Sequence, residues 1–421
     1  MDIRDLEHPH IIQWLATFTR GSGFYLMFPW ADGGSLRDFW KEQDPLAMDL
    51  KGMRSLVLEA LHQFRGLANA FVKLHMEKIY RHGDVKPENI LRFRDGKTTT
   101  GVLQIADFGL AKQHNGPTHH RTSTTTRHTT LQYESPEAEE AMKGKAPLSR
   151  LSDIWSLGCV MFEYLVWLLY GCEEAERFGK DLRGKNLDLG TAPFYYRRAG
   201  GQAALNPTVE RWLSHMKEDA EGSPGTAIGA LLLLIQNHML TLGPLSEMAN
   251  WLARDRCHTG KVTLSPGTRA SAGETMHLID DIIAETEREG GGYLFKGAAM
   301  TDGEPGRTSR GPPSIINSPL PVHTSKPSQK DFLSPNAALL RHPWSTSGKN
   351  TPPPRLVRGV TTEVCSQKEE NPPTNSLADC HQGPYTVSKK VSRNVTRCPE
   401  RSAWRKNDDT DDGALGATIR M

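Results

Sequence analysis

One run of twelve residues constrains this chain more than any other: Tyr80-Arg81-His82-Gly83-Asp84-Val85-Lys86-Pro87-Glu88-Asn89-Ile90-Leu91. It places an acid, a lysine and an asparagine within the six positions from Asp84 to Asn89. A carboxylate can orient a hydroxyl, a cation can hold a phosphate, and an amide oxygen can ligate a metal; phosphoryl transfer calls for that set. The plain structural reading of the run is a polar turn between a helix and a strand. The helix is visible upstream in residues 53–76, where Val57, Leu61, Phe64, Ala68, Phe71 and Leu74 step by three or four. Downstream, residues 92–101 hold an Asp-Gly turn between two short strands.

Further motifs follow in order. Asp107-Phe108-Gly109 begins 18 positions after Asn89, behind the strand-like Val102-Leu103-Gln104-Ile105-Ala106. An aspartate at a strand end supplies a hard oxygen ligand for a metal. Next come Tyr133-Glu134-Ser135-Pro136-Glu137 and Asp153-Ile154-Trp155-Ser156-Leu157-Gly158. In this order and spacing the motifs resemble those of eukaryotic protein kinases. The lysine two places after the acid looks like the serine/threonine class. The resemblance covers roughly residues 8–287 and is strongest to about residue 165.

The roles below are what the resemblance implies. Asp84 is the base that accepts the substrate hydroxyl proton, and Lys86 steadies the transferred phosphate. Asn89 and Asp107 are ligands for Mg2+, and ATP is the phosphoryl donor. His82 is structural and packs under Phe108. Thr130 touches the catalytic acid, and Asp153 holds the backbone of the catalytic loop from a buried helix. Glu137 pairs with a buried arginine far along the chain, for which Arg269 is the candidate. Gly83 departs from the family, which has an arginine there that often clamps a phosphate in the activation segment. The chain is therefore expected not to depend on that clamp. The segment 110–134 is crowded with threonine and histidine; a zinc site is conceivable from imidazoles, but no carboxylate or thiol partners them locally, so a solvated loop is the expectation.

Residues 9–16 and 24–30 read as two short strands around Arg20-Gly21-Ser22-Gly23. By resemblance the second strand leads into the hinge, with Phe28 as gatekeeper. The backbones of Pro29 and Ala31 would meet the adenine edge, and Leu91 would lie beneath the ring. Proline lacks an N–H, but the family uses only the carbonyl at that position. The Gly-rich phosphate loop, the strand lysine and its glutamate partner should precede the first strand, and no G-x-G-x-x-G stands there. The expectation is a chain that starts inside the upper lobe.

The expected fold class is thus α+β and protein-kinase-like. Residues 1–31 form a partial upper lobe and hinge, and 32–295 a helical lower lobe. The lower lobe includes further helices at 207–219, 226–241 and 272–288. Residues 296–421 are rich in proline, serine and threonine and read as a disordered tail, with candidate phosphorylation sites at Ser318, Ser334 and Thr351, each before a proline. That tail (301–421) holds 17 of the 51 Lys+Arg and 12 of the 49 Asp+Glu, so it is only weakly basic, and no nucleic-acid partner is expected. Six scattered cysteines without C-x-x-C spacing argue against a disulfide scaffold or zinc site. The apolar stretch Ile154–Tyr170 is broken by Ser156 and Glu163 and reads as a buried core helix, with no membrane partner expected. No signal peptide opens the chain, so an intracellular setting, cytoplasm or nucleus, is the default. Two functions from different classes remain. One is a serine/threonine kinase acting on a protein substrate; the other is a catalytically inactive lobe that binds proteins.

Overall fold

The computed structural model describes residues 6–21, 23–77, 80–108, 112–113, 131–142, 148–183, 192–242, 264–265, 267–298, 310–313 and 417–420. These fall into two compact units. One comprises residues 13–30 and 353–421, and the other residues 1–12 and 31–352.

In the smaller unit, β1 (Ala16–Arg20) and β2 (Gly23–Phe28) form an antiparallel hairpin with Arg20 opposite Gly23. A third strand, Ala417–Arg420, pairs antiparallel with β2. The expected first strand, 9–16, is corrected here. The ladder with β2 runs from Ala16, opposite Met27, to Arg20, opposite Gly23, so the strand lies next to the turn at Gly21 (φ 58) and not at 9–16. His10–Ile12 belong to the larger unit, where the Ile12 N–H donates to the Ile105 carbonyl at 2.9 Å.

The larger unit is mostly helical. Helix α1 (Leu36–Glu42) starts with a capping box, in which the Ser35 hydroxyl and the Asp38 carboxylate each take up the other's backbone N–H. Helix α2 (Leu50–Val72) is capped by Asp49 and buries Val57, Leu61, Phe64, Ala68 and Phe71, the face its periodicity predicts. It ends in a wider turn, Lys73–Glu77, that buries Leu74 and His75. Strand β3 (Tyr80–Arg81) leads into the loop 82–89, which matches the catalytic loop of the resemblance. Strands β4 (Ile90–Phe93) and β5 (Val102–Ile105) pair antiparallel, and β6 (Lys112–Gln113) pairs with β3.

Helices α3 (Pro136–Met142) and α4 (Leu151–Arg183) follow, the second interrupted at Gly171 (φ 82). Among the described residues α4 alone is long and apolar enough to cross a membrane, and its whole apolar window is buried inside the protein. It is the central core helix. Phe39 and Tyr164 rings lie 5.1 Å from the Trp167 ring, and Trp167 donates its indole N–H to the Trp40 carbonyl at 2.9 Å. The hairpin β7 (Tyr195–Arg197) and β8 (Ala203–Leu205) precedes α5 (Pro207–Glu218), α6 (Ala227–Leu234) and α7 (Ala272–Glu289). Helix α7 begins at a Ser271/Glu274 capping box and packs along α2. These elements give the α+β kinase-like class expected from the motifs.

The compositional boundary at residue 296 does not coincide with the end of the fold. The N–H groups of Lys296, Gly297 and Ala298 donate to the buried Glu221 carboxylate at 2.6, 2.7 and 3.0 Å. Arg310–Pro313 is seated on the helical body as well. Ser318, Ser334 and Thr351 lie outside the described residues.

Candidate functional site

The catalytic loop is held from beneath by Asp153 on α4. Its carboxylate accepts the His82 N–H at 2.8 Å and the Gly83 N–H at 2.9 Å. It also meets His75 Nε2 at 2.8 Å. Arg150 donates to the His75 carbonyl at 2.7 Å, so the turn after α2 and the start of α4 are tied together under the loop. Gly83 sits at φ 84, where a side chain would strain the backbone. Burial alone would raise the Asp153 carboxyl. The hydrogen bond and charge of His75, the His82 ring and the Gly83 N–H outweigh it and hold Asp153 below the ordinary aspartate range.

A carboxylate held low contributes stability above its unfolded pKa, about 3.9, and that contribution fades as pH falls through the lower folded value. Asp153→Asn is therefore expected to cost about 2 kcal/mol at pH 7. The gap to wild type should shrink below about pH 4. Urea unfolding across that pH range measures it, and a pH-independent gap would refute the assignment.

Above this support, Asp84 is the convergence point. Lys86 Nζ lies 2.7 Å from Asp84 Oδ2, and Asn89 Nδ2 donates to the same oxygen at 3.0 Å and to the Asp84 carbonyl at 2.8 Å. All three residues come from one tight loop, in which the Asn89 N–H also donates to the Lys86 carbonyl at 3.0 Å. The Ala106 N–H donates to the Asn89 carbonyl at 2.9 Å, which brings the end of β5, and so Asp107, to the loop. His82 Nε2 contacts the Ala106 carbonyl at 3.0 Å, and the His82 ring stands edge-on to Phe108 with centroids 5.0 Å apart.

Asp107 has φ 62 and is the sole non-glycine at positive φ among the described residues. Such a backbone costs on the order of 1–3 kcal/mol and is found where a side chain must be aimed. Asn89 spends its side-chain N–H groups on Asp84, and these bonds leave its amide oxygen as a hard oxygen that could hold a metal. That donor set, one carboxylate and one amide oxygen, suits Mg2+ completed by phosphate oxygens and water. No group of three or more His, Cys, Asp or Glu forms a metal cage among the described residues.

The structure also brings Glu137 and Arg269 together. Arg269 Nη1 donates to Glu137 Oε1, and Nη2 lies 3.2 Å from Oε2, both side chains being buried. Arg269 Nη2 further donates to the Thr241 carbonyl at 2.8 Å, and its guanidinium stacks 5.2 Å from the Trp155 ring centroid. For the adenine edge, Ala31 and Leu91 fall in the larger unit and Pro29 in the smaller. Leu91 bridges Ser35, and the Ala31 carbonyl accepts the Gly34 N–H at 3.0 Å. Thr130 and most of segment 110–134 lie outside the described residues.

A second network escaped the sequence reading. Arg37 on α1 donates to Glu88 of the catalytic loop at 3.0 Å and to Glu163 of α4 at 3.0 Å, as well as to the Tyr133 hydroxyl. Tyr133 donates to Glu163 at 2.9 Å, and Gln132 is bonded there too. Burial raises Glu163, opposed by Arg37 and Tyr133. The signal was available: a lone carboxylate inside the apolar run Ile154–Tyr170 requires a cation.

Residues 2–184 match the protein kinase domain family. Over residues 2–184 the chain is thus similar to the eukaryotic protein kinase superfamily. Its similar kinases include serine/threonine-protein kinase nekl-2 of Caenorhabditis elegans, 32% identical over 39% of this chain and 42% of that one. Serine/threonine-protein kinase Nek1 of Mus musculus is 30% identical over 38% of this chain and 12% of its own length. Mitogen-activated protein kinase kinase kinase 1a of Physcomitrium patens is 29% identical over 67% of this chain and 33% of its own. The chain thus spans less than half the length of each of these kinases.

Proposed function

We propose that this kinase chain transfers the γ-phosphoryl group of ATP to a serine or threonine hydroxyl of a protein. The observation that supports it best is the meeting of Lys86 and Asn89 on one oxygen of Asp84. Asp84 would accept the hydroxyl proton as the bond to phosphorus forms, and Lys86 would hold the transferred phosphoryl oxygens. Asn89 and Asp107 would hold Mg2+, which when bound neutralises charge on the β- and γ-phosphates. The buried Asp153 keeps the loop from relaxing when the charges change, so the acid stays aimed.

The full chain is expected to bind ATP with Mg2+, and Asp107→Asn to weaken that binding by at least about tenfold, since one charged ligand is lost. Titration calorimetry checks both. No ATP–Mg2+ binding by the wild-type chain would instead support the alternative, a catalytically inactive lobe that binds proteins.

A further inference from the structure

Away from the catalytic loop, four residues from beyond the helical body lie in a groove between the second half of α4 and α5. Trp212 forms its floor and is fully buried. Arg177 stacks 4.8 Å from the Trp212 ring centroid and is ion-paired to Glu174 and, at 3.2 Å, to Asp181. His215 stands beside them, its ring 5.6 Å from that of Tyr170.

The seated segment presents its backbone to these side chains. The Arg310 carbonyl lies 2.8 Å from His215 Nε2, which therefore carries the ring proton on that nitrogen. The Gly311 N–H donates to Glu174 Oε2 at 3.2 Å, and the Pro312 carbonyl accepts from Arg177 Nη1 at 2.8 Å. Pro312 is buried, while Arg310 and Pro313 at either end are exposed. A Cβ at Gly311 would run into the Trp212 ring and stand 2.7 Å from Arg177 Nη2. The groove thus selects glycine by shape, and it reads the backbone of the segment with two donors and one acceptor placed in order.

We propose that the face formed by Glu174, Arg177, Trp212 and His215 is a peptide-docking site, and that its ligand is the chain's own segment Arg310-Gly311-Pro312, bound in cis. Eleven residues, 299–309, connect this ligand to the last backbone group fixed by Glu221, at Ala298. Three hydrogen bonds and one buried proline make a weak contact in isolation. A short tether supplies an effective concentration in the millimolar range, which is enough to keep such a contact filled. A free peptide of the same sequence would have to displace it.

The proposal does not rest on phosphoryl transfer, and its test does not read it. A labelled peptide spanning residues 307–316 is titrated against the full wild-type chain and against the full chain carrying Gly311→Val. The substitution lies in the ligand, not in the helical body, and matching thermal melts of the two chains verify that. The Gly311→Val chain, with its groove vacated, is expected to bind the peptide about tenfold more tightly, as a millimolar tether competing with a Kd of about 0.1 mM requires. A peptide carrying the same Gly→Val change should bind neither chain. Adding His215→Ala to the Gly311→Val chain should lower peptide affinity again. Equal affinity of the two chains for the peptide, including no binding to either, overturns the proposal.

Discussion

Asp84→Asn in the full chain is expected to lower the rate of phosphoryl transfer by about 10²–10⁴-fold, the usual contribution of a positioned general base. The amide has the carboxylate's shape, so one oxygen still faces Asn89 or Lys86, whose contacts at 3.0 and 2.7 Å define the pocket. It cannot take the proton. The loop itself should survive, because the Asp153 bonds to the His82 and Gly83 N–H groups are untouched. Thermal unfolding should therefore move little while turnover of a mixed serine/threonine peptide pool disappears. A variant that keeps its rate within a few-fold would remove Asp84 from the role.

The second large effect is on stability. Arg269→Met strands the Glu137 carboxylate, which is 5% exposed at its side chain against 0% for Arg269. An unpaired buried charge costs about 3–5 kcal/mol, a drop in melting temperature on the order of 10 °C for a domain of this size. Arg269 also donates to the Leu151 carbonyl in the first turn of α4, at 3.3 Å, so the loss would reach the helix that carries Asp153. Because the damage comes from the orphaned carboxylate, Glu137→Leu combined with Arg269→Met should be more stable than Arg269→Met alone. A double variant no better than the single one would place the energy in the Thr241 and Leu151 contacts instead.

The parts of the site that were legible in the sequence are local. Asp84, Lys86 and Asn89 share one loop, so their spacing alone nearly determines their proximity. Helices α2, α5 and α7 each carry an apolar face at a period that survives any tertiary arrangement. Glu137 and Arg269, 132 residues apart, were connected only through the family resemblance, since nothing local marks such a pair. The Arg37–Glu163 pair, 126 residues apart, had no such guide. Strand β1 was misplaced because Ile11, Ile12, Trp14 and Leu15 are apolar, whereas the strand itself is exposed throughout and leaves no hydrophobic trace. The seated Gly311-Pro312 was hidden for another reason. A few residues that bind through backbone atoms do not alter the composition of the 100 or so around them, and composition was what marked the tail.

The Glu137–Arg269 pair has a consequence for how the protein is made. On the ribosome Glu137 emerges 132 residues ahead of its partner. At about 5–20 residues per second that is an interval of roughly 7–26 s. Throughout it, α3 can dock only by burying an unpaired carboxylate, at a cost of about 3–5 kcal/mol, so this corner of the fold is set only once Arg269 has been made.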